Sequence, residues 1–168
     1  MDIASSEGLH FGYLQTWSQQ CNWRSWNQPW TYDPAHFAVI RDYAHLRYRL
    51  LPYIYTAAAE AHRTGWPVMR ALPLVYPDDP AYDACPTTYM LGDSLLVSTY
   101  SKTVTLPPGV WHEWRTGKTE KGPCTIPFAR SPTWGGGLYV KTFASVGLAD
   151  CAFVTNGLPT LSGAKSGR

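Results

Sequence analysis

The chain has little charge, and less imbalance of charge. Only 15% of its 168 residues are Asp, Glu, Lys or Arg, and the net charge is +2. So small a surplus argues against nucleic acid or an anionic membrane as a partner. Long apolar runs are also missing: nothing approaches the ~18 residues that a membrane span needs. The first residues, MDIASSEGLHFGYL, have neither a basic start nor a long apolar core, so no signal peptide is expected there. The compartment stays open, with the cytoplasm favoured. Cysteine is scarce and scattered. Cys21, Cys85, Cys124 and Cys151 lie too far apart for a zinc site, which needs pairs a few residues apart. Their spacing favours no disulfide, and thiols in a cytoplasmic protein are the simpler reading.

Reactive constellations are equally sparse. His10, His36, His45, His62 and His112 form no ligand pair on a helix face. There is no G-x-S-x-G elbow, no H-E-x-x-H and no phosphate-binding glycine loop, and no cofactor is expected. None of the 12 acidic residues is expected to be a catalytic acid or nucleophile, and several have a plainer use. Asp33 precedes Pro34 and suits a helix cap. Asp42 and Glu60 fall on or near the polar side of that helix. Asp78-Asp79 sits between Pro77 and Pro80 and reads as a turn.

What the chain does have is aromatic rings, 14% of its residues, with 8 Trp and 11 Tyr. Such rings fill cores, and they also stack on the apolar faces of sugars. Residues 9–17, LHFGYLQTW, read as a short buried strand. Residues 18–30, SQQCNWRSWNQPW, read as a loop with three Trp among amides and hydroxyls. A helix is expected from about Pro34 to Arg63, with apolar positions recurring every three or four residues and Gly65 as its stop. Pro52 predicts a kink or break near Leu51. Beyond Gly65 the period becomes extended: Leu72 to Tyr76, Tyr89-Met90-Leu91, Ser94 to Ser98, Val104 to Leu106, Trp111 to Trp114 and Leu138-Tyr139-Val140. Prolines and glycines separate these runs, the pattern of an antiparallel β-domain. The end, LSGAKSGR, is small and polar, as in a disordered tail.

Five segments in this order resemble glycoside hydrolase family 31. They are Leu46-Arg47-Tyr48-x-Leu50-Leu51-Pro52-Tyr53-Ile54-Tyr55; Gly65-x-Pro67-Val68-Met69-Arg70; Pro77-Asp78-Asp79; Tyr89-Met90-Leu91-Gly92-Asp93-Ser94-Leu95-Leu96-Val97; and Gly109-Val110-Trp111-x-x-Trp114-x-Thr116-Gly117. The resemblance runs from about Glu7 to Val140. It implies a fold of α/β plus all-β class, the C-terminal end of a (β/α)8 barrel followed by part of an antiparallel β-sandwich. Residues 1–70 would be the barrel part, 71–141 the partial sandwich, and 142–168 an unpatterned tail. A truncation or a shifted reading frame predicts such a tail.

The family's activity is retaining hydrolysis of terminal α-glycosidic bonds, with an aspartate nucleophile and an aspartate acid/base on earlier barrel strands. No position here matches either, so the resemblance implies no catalytic residue in this chain and no activity alone. Many members carry Arg-x-His after the last strand; Gln15-Thr16-Trp17-Ser18-Gln19-Gln20 stands here instead, as in a subgroup with Trp-Ser-Gln and a later Gln-Pro-Trp, here Gln28-Pro29-Trp30. That difference puts glucose specificity in question. Loops after barrel strands line the active face, so Gln15, Trp17, Trp23 and Trp26 are the candidate carbohydrate-binding residues. Two other readings compete: a non-catalytic carbohydrate-binding module built on loop 17–30, and a structural piece with no independent fold.

Overall fold

The computed structural model describes residues 33–128 and 134–142 with their side chains, and the backbones of Cys21–Asn22 and Ser25–Trp26. These two short pieces pair antiparallel as β1 (Cys21–Asn22) and β2 (Ser25–Trp26), inside the stretch that the sequence assigns to a loop. The expected strand 9–17 and tail 142–168 lie outside the described residues, apart from Thr142.

Helix α1 spans Pro34–Thr64. Its ends form for the reasons the sequence suggests. Asp33 Oδ1 accepts from the backbone N–H groups of Ala35 (3.0 Å) and His36 (3.2 Å), which would otherwise lack partners. Gly65 takes φ +80°, and its N–H reaches Ala61 O at 2.9 Å. The break expected at Pro52 does not occur; the helix runs through it. Proline removes the bond to the carbonyl of Tyr48, but Pro52 and Tyr48 are both on the exposed side, where water can serve that carbonyl. On the opposite side Leu50 and Ile54 stay packed and hold the helix together across the gap.

The β-rich part is one six-stranded antiparallel sheet of order β3-β4-β5-β8-β6-β7. Its strands are β3 (Met69–Ala71), β4 (Thr88–Leu91), β5 (Leu95–Ser98), β6 (Thr103–Glu113), β7 (Thr119–Pro127) and β8 (Gly137–Thr142). Two sequence expectations are corrected here. Leu72 to Tyr76 is not extended: Leu72–Val75 is a short helix, α2, closed by Tyr76 N–H to Leu72 O at 2.9 Å. Pro73 suits its first turn, and Leu72 is fully buried and anchors it. Nor does Pro107-Pro108-Gly109 divide two strands. It forms a bulge within β6, between Leu106 and Gly109, and pairing with β7 resumes beyond it. Trp111 Nε1 donates to Pro107 O at 2.7 Å and ties the bulge shut.

The period of two along the strands sorts side chains into two cores. Tyr89, Leu91, Leu95, Val97, Leu138 and Val140 face α1 and meet Val39, Tyr43, Leu46, Leu50 and Ile54. Met90, Leu96 and Tyr139 point the other way, against Leu72, Tyr82, Val104, Leu106 and Trp111. Every residue of β4 and β5 is therefore buried, which explains why these strands read as continuous apolar runs. Each such buried Leu or Val contributes roughly 1.5–3 kcal/mol. The result is an α/β plus all-β molecule: a barrel-type helix laid on an antiparallel β-domain.

Candidate functional site

Of the predicted sugar-binding residues, Gln15, Trp17 and Trp23 lie outside the described residues. Trp26 contributes only its backbone, opposite Cys21 in β2. All four side chains therefore lie outside the described residues. What the structure does build, beginning with the helix that starts four residues after Trp30, is the junction of α1 with the sheet.

Two tyrosines of α1, ten residues apart, grip two glycine turns. Tyr53 Oη donates to Leu91 O at 2.7 Å and accepts from Ser94 N–H at 3.0 Å, bridging the turn between β4 and β5. Burial pushes the Tyr53 phenol above its usual range, so it stays a neutral donor and acceptor. Gly92 in that turn has φ +62°. Tyr43, with no exposure, donates to Gly135 O and accepts from Gly135 N–H, both at 2.9 Å. Its ring stacks on Trp134 at 4.9 Å, and the Arg115 guanidinium lies 4.6 Å over that indole. Arg49 of α1 sits 5.7 Å over Trp114, at the β6–β7 turn.

Arg70 is the third grip. Its side chain is 9% exposed, pairs with Asp93, donates from Nε to Pro67 O at 2.7 Å and lies 5.3 Å over Trp66. Thus the segment that leaves α1 is fastened to the same turn that Tyr53 holds. Sequence reading caught these residues as motif members but not as partners. The signal was there: a glycine followed by Asp-Ser between two apolar strands, and a lone arginine in an apolar stretch, whose guanidinium needs acceptors close by.

Most of the described carboxylates serve local structure. Asp33 caps α1, and the N–H of His36 with that of Ala35 holds its carboxyl below the usual range. Asp79 accepts from Ala81 N–H at 3.0 Å in a 3-10 turn. Glu113 accepts from the N–H groups of Arg115 (3.3 Å) and Thr116 (2.6 Å). Glu60 pairs with Arg63, and Glu120 with Lys118. Among the described residues no group of three or more His, Cys, Asp or Glu is placed to hold a metal ion. The contacts of this junction fasten α1 to the turns of the sheet.

Residues 9–57 match the family model described as the glycosyl hydrolases family 31 TIM-barrel domain, and residues 65–143 the family 31 C-terminal domain. Alpha-glucosidase 2 of Bacillus thermoamyloliquefaciens is 36% identical over 101 residues, 56% of this chain and 13% of that protein. Human neutral alpha-glucosidase AB is 38% identical over 107 residues, 59% of this chain and 11% of that protein. Among solved structures, a Flavobacterium johnsoniae family 31 dextranase complexed with glucose superposes with TM-score 0.70 at 30% identity, over 83% of this chain and 18% of its own. A soil-metagenome α-xylosidase complexed with xylose gives TM-score 0.63 at 28% identity, over 71% and 18%. The chain thus spans about an eighth of the curated relatives and about a fifth of the solved ones. Two consecutive domain models of one family, matched in order along a single fold, show that this chain belongs to glycoside hydrolase family 31.

Proposed function

We propose that this chain supplies the last barrel strand, the sugar-facing loop and the β-domain of a retaining α-glycosidase that cleaves terminal α-glycosidic bonds. The observation that carries this reading is the continuity of the barrel match into the C-terminal-domain match across α1, with α1 clamped to the β-domain by Tyr53 and Tyr43. Gln15, Trp17, Trp23 and Trp26 would stack on and hydrogen-bond a hexose or pentose. Retention needs two carboxyl groups about 5–5.5 Å apart across the scissile bond. The described carboxylates are spent on caps and ion pairs or lie apart on exposed positions, so the chain alone is inactive in this reading. Residues 1–70 would form the barrel part and 71–141 the β-domain part.

The test is direct. Release of nitrophenol from p-nitrophenyl α-glucoside and α-xyloside by the 168-residue chain should not exceed the uncatalysed rate. Measured turnover would sink the inactivity claim. Titration with glucose, xylose and isomaltose, followed by tryptophan fluorescence, should give no saturable binding. A saturable isotherm lost in Trp23→Ala and Trp26→Ala would instead favour a self-sufficient carbohydrate-binding module.

A further inference from the structure

Trp66, just past the end of α1, keeps 43% of its surface exposed. One side of its indole is closed by the Arg70 guanidinium, 5.3 Å from the ring centroid, and the Arg70 side chain is itself only 9% exposed. The open surface therefore belongs to the opposite face and the ring edge. Thr64 Oγ1 accepts from the Trp66 backbone N–H at 3.2 Å and fixes the chain from which the ring projects. The same guanidinium pairs with Asp93, whose side chain is 67% exposed. One cation thus holds a flat apolar face and a carboxylate side by side. Both Arg70 and Asp93 keep capacity to spare. The described bonds of Arg70 engage Nε and Nη1, which leaves Nη2, at the surface, with hydrogens to donate. Asp93 binds through Oδ1, and its Oδ2 has no partner among the described residues.

We propose that Trp66, Arg70 and Asp93 form a binding site for one ring of a neutral carbohydrate chain. The chemistry selects the class. Arg70 and Asp93 cancel each other's charge, so the cluster favours neither an anion nor a cation. What remains is a donor and an acceptor beside an apolar plane. A pyranose is the complement. Its C–H groups make an apolar face that stacks on an indole. Its neighbouring hydroxyls each accept and donate, so one takes a hydrogen bond from Arg70 Nη2 and the next gives one to Asp93 Oδ2. The ion pair and the cation–π contact hold all three groups before the ligand arrives, so little order has to be imposed on binding. A chain linked through its exocyclic carbon suits the site best, because every ring keeps its three adjacent hydroxyls free. The site uses none of Gln15, Trp17, Trp23 or Trp26, and it stands apart from the reading of hydrolysis.

One ring on one tryptophan is held weakly, on the order of millimolar, too weakly to saturate in a titration with small sugars. Native electrophoresis of the full 168-residue chain through gels cast with and without dextran reads such binding as slowed migration. Dextran should slow the wild-type chain. Trp66→Ala should weaken the apparent affinity at least tenfold and Asp93→Asn at least twofold, while Trp66→Phe should keep part of it. Leu74→Ala, at an exposed apolar position in α2, should migrate as wild type. Circular dichroism of each variant checks that the fold persists. Equal migration of the wild-type chain in both gels would overturn the proposal. So would equal slowing by polyethylene glycol of matched size, which has no ring to stack. Slowing that survives in Trp66→Ala but is lost in Trp23→Ala and Trp26→Ala would assign the binding to the Trp-rich loop and overturn it as well.

Discussion

Tyr53 and Gly92 are fitted to one another: a Cβ at position 92 would lie 2.4 Å from Tyr53 Oη. The glycine also sits at φ +62°, which other L-residues adopt at a cost of roughly 1–2 kcal/mol. Gly92→Ala therefore meets two penalties, one in its own backbone and one against a phenol that cannot retreat without releasing Leu91 O and Ser94 N–H. A loss of about 2–4 kcal/mol in urea unfolding is expected. Tyr53→Phe alone should cost about 1–3 kcal/mol, because two buried backbone groups lose their partner. The double variant should cost less than the sum, since removing the hydroxyl relieves the closest contact and leaves the ring Cζ at 2.9 Å to give way. Additive costs would mean that the contact does not couple the two residues.

Arg70 and Asp93 should respond unequally. The arginine side chain is 9% exposed and the aspartate 67%. Arg70→Lys keeps the charge but loses the Nε bond to Pro67 O and the planar contact with Trp66. It should cost about 1–2 kcal/mol. Asp93→Asn removes a solvent-screened partner and should cost under ~1 kcal/mol. The comparison is a pair of denaturation midpoints at fixed slope. A larger loss in Asp93→Asn than in Arg70→Lys would contradict it.

Alkaline pH should unfold this molecule early and steeply. Burial raises the phenols of Tyr53, Tyr89 and Tyr139 above their ordinary range. A group whose pKa is raised in the folded state contributes stability below its unfolded value, and that contribution is lost as pH rises through the folded value. The unfolded chain begins to release these protons near pH 10, so the loss starts there, at about 1.4 kcal/mol per pH unit for each phenol. Unfolding free energies from pH 8 to 11.5 should be flat and then fall. The fall should be shallower in Tyr89→Phe, and an unchanged slope would show that this phenol does not contribute.

How much of this was legible in the sequence varied with how local the cause was. The start and stop of α1 were legible because Asp33, Pro34 and Gly65 act on their own neighbours. The unbroken passage through Pro52 was not, since it depends on which side of the helix meets the sheet. Strand β7 escaped notice altogether. It is an edge strand whose inward positions are Glu120, Gly122, Cys124 and Ile126, none fully buried, so no apolar alternation marks it. Proline and glycine at the β6 bulge imitated a loop because bulge and turn draw on the same residues. The clamps of α1 were invisible for a different reason. Tyr53 and Leu91 are 38 residues apart, and Tyr43 and Gly135 are 92 apart, and no local pattern encodes such a pairing.

The glycines provide a graded test of the β6–β7 hairpin. At Gly122 a Cβ would fall 2.0 Å from Pro107 O and 3.0 Å from Leu106 O. Both neighbours are backbone, in the bulge that Trp111 fastens through Pro107 O, so no side chain can swing away. Gly122→Ala must push β7 from β6, and a loss of about 3 kcal/mol or more is expected, with the Trp111 indole gaining exposure. Gly117, in the turn of the same hairpin, has φ +69° but open space around its Cβ position. Gly117→Ala should therefore cost only the backbone term, about 1 kcal/mol. Gly65 at the end of α1, with φ +80° and the same open space, should match Gly117 and not Gly122. Urea unfolding followed by tryptophan emission would rank the three. If Gly122→Ala proved as mild as the other two, the bulge would be softer than its hydrogen bond implies, and β6 and β7 would have to slide past one another at little cost.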